Sequence, residues 1–304
     1  MAQAQVNGVT LEYEISGPET GMPLLLIHGV GAQLIRWPPS LCDRLAEAGF
    51  RLLRYDSRDI GLSTHMDDAP IPNLAAITAA RLNGHEPELP YTLSDLAADA
   101  AGLMAAVGIP AAHVLGVSLG GMVAQQLAIA HPHKVLSMTC IMTQSGNPEL
   151  PGARPAALAK LSAVAPDPKA DREAYLQHQV ELNQNLGSPD YPTPEPELRR
   201  MAALAADRAY NPAGAARQLA AGRGSADRSS ELRKLSVPTL VIHGAEDPLM
   251  PVVCGEDLAD SVPGAWFLRI NGMGHDLPEQ LSGIFVAAIA ENCARGEQRF
   301  AFEV

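Results

Sequence analysis

Apolar and polar positions alternate along this chain in two periods, and the alternation is interrupted once. Val6-Asn7-Gly8-Val9 followed by Leu11, Tyr13 and Ile15 predicts a hairpin, because Asn-Gly supplies the two positive φ angles of a tight turn and every second residue is apolar. The run Leu24-Leu25-Leu26-Ile27 is apolar without a break, as a strand buried on both faces must be. Further short strands are predicted at Arg51–Tyr55, Val114-Leu115, Val135–Met142, Thr239–His243 and Trp266–Ile270. Between them the pattern turns helical: Pro39–Ala48 closed by Gly49, Met122–Ala128 ending at His131-Pro132, Cys254–Ser261, and Leu277–Ala294. Thr92-Leu93-Ser94-Asp95 caps another helix running to about Val107, with Leu96, Leu103 and Met104 on its apolar side. Strands that alternate with helices predict an α/β fold with a mostly parallel central sheet, covered by helices on both faces.

The interruption lies between about Thr143 and Ser230. Strand-like runs vanish there, and Ala-rich helical pieces (Ala156–Val164, Arg172–Leu186, Pro196–Ala206, Ala213–Ala221) alternate with proline clusters such as Ser188-Pro189-Asp190-Tyr191-Pro192. The expected organisation is a core over 1–143, a helical cap over 144–230, and the rest of the core over 231–304. A second stretch, Ala69 to Pro90, is proline-rich and weakly patterned, and reads as a surface excursion.

Composition narrows the partners. At 304 residues, 47% hydrophobic and 18% charged, the chain can bury a large core. Its formal net charge of -12, with no basic stripe, argues against nucleic acid or an anionic membrane surface. Cys42, Cys140, Cys254 and Cys293 are far apart with no C-x-x-C pair, which suits reduced thiols in a cytoplasmic protein. The start of the chain has neither the basic nor the apolar region of a signal peptide, and no apolar run approaches a membrane span. A monomer or a homodimer is expected.

Gly116-Val117-Ser118-Leu119-Gly120 then carries the chemistry. G-x-S-x-G gains meaning between a strand and a helix: the serine sits on a strained turn with its hydroxyl lifted clear of the sheet. Gly116 and Gly120 avoid collision across that turn, and Gly121 lets the helix pack close. An acid and a histidine must follow. Glu246-Asp247 lies past the Thr239–His243 strand, and Gly274-His275-Asp276 lies past the next one. Both loops leave the carboxyl edge of the sheet, where sites gather. The order Ser118, Asp247, His275 is that of a nucleophile elbow, with Glu246 and Asp276 as local rivals for the acid.

On these residues the chain resembles the α/β-hydrolase family over nearly all its length. Arg54-Tyr55-Asp56-Ser57-Arg58-Asp59, Gly61-Leu62-Ser63-Thr64, Trp37-Pro38 and Gly272-Met273-Gly274-His275 look like the polyketide methylesterases typified by aclacinomycin methylesterase. The resemblance is strong in the core and weak across the cap. It implies Ser118 as nucleophile, His275 as general base and acid, and Asp247 as the carboxylate that orients the ring. The chemistry asks for the same set: a serine hydroxyl needs a base near neutrality, and a buried carboxylate fixes the imidazole tautomer. Two main-chain donors must receive the oxyanion, and Leu119 N–H and Val30 N–H are in position to do so.

Other residues are weighed against plainer roles. His28 is expected to brace the oxyanion loop. Together with Gly29 and Met250 it is a candidate for the substrate pocket. His243 reads as structural or solvent-facing, and the charges of Asp56–Asp59 as braces for their own turn. The remaining histidines lack metal-ligand spacing, and His28–Gly31 lacks the ending of a phosphate loop, so no metal and no cofactor is expected. The expected activity is hydrolysis of small to medium apolar carboxylic esters through an acyl-enzyme, with a small-molecule ester as partner. Carbon–carbon, lactone or amide hydrolysis and acyl transfer share the same three residues. A binding protein that has lost turnover is the alternative of another class. Trimming Arg172–Leu186 is expected to alter substrate preference more than chemistry.

Overall fold

The Asn7-Gly8 turn opens the chain with φ angles of 45° and 78°, and joins β1 (Ala2–Val6) to β2 (Val9–Ser16). The computed structural model describes residues 1–303; Val304, the last residue of the expected core segment, lies outside them. There follow β3 (Met22–Ile27), α1 (Pro39–Glu47), β4 (Phe50–Tyr55), α2 (Leu74–Leu82), α3 (Leu93–Ala106), β5 (Ala112–Val117), α4 (Leu119–Ala130) and β6 (Val135–Ile141). Five helices come next: α5 (Pro155–Ser162), α6 (Arg172–Leu186), α7 (Glu195–Arg208), α8 (Pro212–Arg223) and α9 (Ser229–Leu232). The alternation then resumes with β7 (Thr239–Gly244), α10 (Val252–Ser261), β8 (Trp266–Ile270) and α11 (Ser282–Glu303).

All eight strands form one sheet in the order β1-β2-β4-β3-β5-β6-β7-β8. The β1–β2 and β2–β4 pairs are antiparallel and every other pair is parallel. Successive side chains of a strand face opposite ways, so β3 feeds two cores at once. Leu25 and Ile27 pack with α3 and α4 residues such as Met104 and Leu127, while Leu24 and Leu26 pack with Leu41, Leu45 and Phe285 of α1 and α11. The strand order reverses between β3 and β5, with β4 on one side and β6 on the other. A crevice opens outside the carboxyl ends of strands at such a switch, and the His28 loop and Ser118 both leave from it.

Two elements depart from the pattern. The Ala69–Pro90 stretch contains α2, whose N-terminus is capped by the Asn73 side chain accepting from Ala75 and Ala76 N–H. Only Ile77 of that helix is buried, so no apolar stripe announces it. The last helix begins at Ser282 and not at Leu277, because Pro278 is extended (φ -61°, ψ 134°) and a single 3-10 turn, Glu279–Leu281, intervenes.

Candidate active site

Ser118 stands between β5 and α4 with φ 55° and ψ -119°. A non-glycine residue holds such a conformation at a cost of about 1–3 kcal/mol, and only where its surroundings enforce it. Here they do. Ser118 N–H donates to Ile141 O at 2.9 Å, and its carbonyl accepts from Thr143 Oγ1 at 2.7 Å and from Gly121 N–H at 2.9 Å. A Cβ on Gly116 would strike the Gly120 carbonyl, and one on Gly120 would strike Ile27 O, so the turn closes only with glycine at both. The Thr143 methyl would lie 2.6 Å from a Cβ on Gly121, which confirms the close packing expected of that helix.

Asp247 and His275 come from the loops after β7 and β8, and the fold brings both to Ser118. His275 Nε2 lies 3.1 Å from Ser118 Oγ, and His275 Nδ1 lies 2.7 Å from Asp247 Oδ2. The other oxygen, Oδ1, accepts from Leu249 and Met250 N–H, both at 2.8 Å. Burial alone pushes the Asp247 carboxyl up, but the His275 ring and these backbone donors outweigh it and hold it below the usual carboxylate range. An ionised Oδ2 can only accept, so the proton sits on His275 Nδ1 and leaves Nε2 free to accept from the Ser118 hydroxyl.

The rivals are elsewhere. Glu246 is exposed, with Arg154 at 3.9 Å as its ion-pair partner. Asp276 is turned to Ser188, whose hydroxyl donates to its Oδ1 at 2.5 Å. His243 is fully buried, so it is not solvent-facing; its Nε2–H donates to Met250 O at 2.8 Å and stands 3.6 Å from Asp247 Oδ2. Desolvation lowers its pKa, and a neutral ring already committed to a carbonyl braces the acid loop.

Val30 and Leu119 line the same cavity as Ser118, and neither N–H has a protein acceptor among the described residues outside regular helix and sheet bonding. Leu119 is the first residue of α4, so its N–H is one of the orphans of a helix start. In the other loop, Ala32 N–H donates to Gly29 O at 3.3 Å. In a trans peptide C=O and N–H point opposite ways, so this bond turns Val30 N–H away from its own loop. A Cβ on Gly29 would come within 3.2 Å of Ser118 Cβ, so glycine lets this loop lie against the serine. His28 packs edge-on against Trp37 at 4.8 Å, and its Nδ1 accepts from Gly29 N–H at 2.7 Å. Burial, with Arg36 and His275 nearby, lowers its pKa to about 3. It is therefore neutral, and it braces the loop as expected.

Ser118, His275, His28, Gly29, Val30 and Met250 line a cavity of about 2440 Å³ between the sheet edge and the inserted helices. The insertion contributes more than a wall, and here the pattern gave no signal. Leu186 O, at the end of α6, accepts from His275 N–H at 2.7 Å, and Ser188 Oγ accepts from Gly274 N–H at 2.9 Å. Asp56 and Asp59 do accept from N–H groups of their own turn, at Leu62 and Met66. Their main partners, however, are Arg208 at the end of α7 (2.6 Å) and Arg217 on α8 (2.8 Å through each of two nitrogens). These charges brace their own turn as expected, and they also hold the inserted helices, which the expectation did not include. Gln218, next to Arg217, donates to Arg58 O at 3.1 Å and accepts from Gly31 N–H at 2.9 Å. Arg36 reaches into the same cavity and donates to Asn183. Among the described residues, no group of three or more His, Cys, Asp or Glu side chains is arranged to hold a metal ion, and no helix is long and apolar enough to cross a membrane.

A mostly parallel sheet, a strained Ser118 at its switch point, and an acid and a histidine on the loops after its last two strands, β7 and β8, define a hydrolase fold. The alpha/beta hydrolase fold family model matches residues 22–280, and the chain belongs to that family. Among proteins of known role it is 31% identical to rhodomycin D methylesterase DauP of a Streptomyces species, over 92% of this chain and 94% of that one. It is 29% identical, with the same coverage, to rhodomycin D methylesterase DnrP of Streptomyces peucetius. Among solved structures, the meta-cleavage product hydrolase CumD of Pseudomonas fluorescens superposes with a TM-score of 0.74 at 18% identity, covering 97% of this chain and 98% of that one. The likeness to that structure is one of fold. Kinship with the methylesterases supports an ester-hydrolysing enzyme.

Proposed function

We propose that the protein is a serine carboxylesterase acting through a Ser118–His275–Asp247 triad and an acyl-enzyme. The observation that carries this reading is the continuous chain from Ser118 Oγ through the His275 ring to Asp247, at 3.1 and 2.7 Å, beside two N–H groups with no acceptor among the described residues outside regular helix and sheet bonding. Ser118 Oγ attacks the ester carbonyl carbon while its proton passes to His275 Nε2. Asp247 stabilises the imidazolium across the Nδ1–H bond. The carbonyl oxygen, now an oxyanion, is received by Val30 and Leu119 N–H, and each such donor contributes about 3–4 kcal/mol to lowering a barrier of this kind. As the carbon–oxygen bond breaks, His275 returns its proton to the departing alcohol. Water then repeats the sequence on the acyl-enzyme and releases the acid. No metal or organic cofactor enters these steps.

The relatives' names point to methyl esters, and the cavity to a bulky acid half. At about 2440 Å³ it exceeds the roughly 300–1,000 Å³ of an ordinary small-ligand site. The substrate range we propose therefore extends above the small to medium apolar esters expected from the pattern. The inserted helices over 144–230 serve as the cap of this pocket. Four free, buried thiols suit a reducing compartment such as the cytoplasm.

The test is a panel of para-nitrophenyl and methyl esters of increasing acid size, with wild type and Ser118→Ala side by side. Turnover is expected to fall by about a thousandfold or more in the variant while the fold is kept. A fluorophosphonate should add to Ser118 in the wild type, as read by intact mass. Near-wild-type turnover in Ser118→Ala would sink the mechanism.

A further inference from the structure

His28 braces the start of the loop carrying Val30, at Gly29 N–H, but beyond it the loop has little support of its own. Gly29 and Gly31 flank Val30, and the backbone bond that closes the loop, Ala32 N–H to Gly29 O, is long at 3.3 Å. Gly31 has φ +69°, a conformation that glycine enters freely and leaves freely. What fixes it comes from far along the chain. Gln218 Oε1 accepts the Gly31 N–H at 2.9 Å, and Gln218 Nε2 donates to Arg58 O at 3.1 Å. The amide is therefore held at both ends, and the opposite assignment of oxygen and nitrogen would face donor to donor and acceptor to acceptor. Gln218 is buried, 1% exposed. Its helix is in turn anchored to the core by Arg217 on Asp59 and by Asn211 Nδ2 donating to Asp59 O at 2.9 Å.

We propose that Gln218 is a positioning residue for the oxyanion hole, delivered from the inserted helices, which fixes the Val30–Gly31 peptide and so aims Val30 N–H at the reacting carbonyl. This rests on the serine-esterase reading above. It goes beyond that reading in making one side chain of the cap a condition for transition-state stabilisation. Gln218 does not touch the scissile group. It acts through two main-chain bonds, and a misplaced loop costs catalysis because a shift of about 1 Å at a catalytic group is worth on the order of a hundredfold.

The experiment compares wild type with Gln218→Leu, which removes both bonds at similar volume, and Gln218→Glu, which keeps an acceptor for Gly31 N–H. Para-nitrophenyl acetate and its thiono analogue, in which sulfur replaces the carbonyl oxygen, are the substrates. Hydrogen bonds in the hole favour developing negative charge on oxygen over sulfur, so the ester-to-thionoester ratio of kcat/KM reports the hole itself. Gln218→Leu is expected to lower ester kcat about 10- to 100-fold with KM changed less than about 3-fold, and to shrink the ratio. Gln218→Glu should restore most of both. If Gln218→Leu does not fold, Gln218→Met takes its place with the same expectation. A folded Leu or Met variant with wild-type kcat, or with reduced kcat and an unchanged ratio, overturns the proposal, because a purely structural loss would lower the melting point and leave the ratio alone. Failure of the serine reading is read separately: a wild type that neither turns over esters nor takes the fluorophosphonate overturns both.

Discussion

Arg217→Met offers a sharp test of how the inserted helices are held. Arg217 and Asp59 are 1% and 0% exposed, and two nitrogens of the guanidinium each bond the carboxylate at 2.8 Å. Methionine keeps the length of the side chain and removes its charge. Asp59 would retain Met66 N–H at 2.7 Å as a partner and the Tyr91 side chain beside it, but no positive charge to offset its burial. Breaking one side of such a pair costs about 3–5 kcal/mol. At about 2–4 °C per kcal/mol for a protein somewhat smaller than this one, the melting point should fall by roughly 6–20 °C. The companion Asp59→Asn/Arg217→Met removes both charges, and should recover at least about 1 kcal/mol relative to Arg217→Met alone. The pH dependence has a definite sign. Burial pushes the Asp59 carboxyl up, but the Arg217 bonds, with Met66 N–H, bring it below the usual value. Its stabilisation in the wild type is therefore complete above the unfolded carboxylate range and is lost as pH falls through the lowered folded value. In Arg217→Met the burial effect prevails, so protonation relieves the variant first, and the gap between the two proteins narrows below about pH 5. Urea unfolding of all four proteins of the cycle at pH 7.5 and pH 4.5 measures this. A loss under about 1 kcal/mol, a strictly additive double variant, or an equal gap at both pH values would refute the reasoning.

His28 is held neutral with a pKa of about 3, well below its unfolded value, so the unfolded chain binds a proton between the two that the folded chain does not. Wild type should lose stability as pH drops from 6.5 toward 3, and His28→Gln should lose about 2 kcal/mol less between pH 7 and pH 5 by urea titration; parallel curves would count against a ring held neutral. Ser188→Ala removes the acceptor of Gly274 N–H and the donor to Asp276, and should lower kcat about 10-fold or more through a loosened His275 loop, with phosphonylation by the fluorophosphonate slowed in parallel. Unchanged kcat would show that loop to be rigid without it. Against the expectation from the pattern that trimming Arg172–Leu186 alters preference more than chemistry, replacing 172–186 by a short linker removes Leu186 O from His275 N–H and should depress kcat on every ester, acetate included; a variant that only reshuffles preference among acids would contradict this.

The parts legible in the sequence are those whose cause is local. Asn7-Gly8, the unbroken Leu24–Ile27 run and G-x-S-x-G each carry their geometry within a few residues. The positions of Asp247 and His275 follow from strands that end just before them. Where causes are distant the pattern is silent. Gln218 and Gly31 are 187 positions apart, Arg217 and Asp59 158, and nothing in either neighbourhood names the other. The Asp56–Asp59 turn reads as self-sufficient because Asp and Arg side chains commonly bond their own backbone, and Asp56 and Asp59 do so at Leu62 and Met66 N–H while the rest of their bonds reach farther. His243 could be read as solvent-facing because it ends a strand. Its burial comes from α10, where a Cβ on Gly255 would meet the ring, a closeness no period reveals. α2 was missed for the opposite reason, having almost no buried face to leave a period.

These distant ties change what the inserted helices are. An insertion that merely roofs a pocket would touch the core at its two chain crossings and be free to vary. This one is fastened to three loops of the sheet edge: Arg208 and Arg217 to the Asp56–Asp59 turn, Gln218 to the Val30 loop, and Leu186 with Ser188 to the His275 loop. The first of these ties is ionic and buried, so it resists sliding, because every displacement strands a charge away from water. The other two are hydrogen bonds to N–H groups in or beside the proposed site, one at the Val30 loop and two at the His275 loop. Residues that face the cavity between these anchors, such as Met201 and Leu219, can change with the acid to be accommodated at little cost to the chemistry. Change at the anchors acts on the carbonyl before it acts on the acid. Preference and rate are therefore separable within this insertion residue by residue, and inseparable for the insertion as a whole.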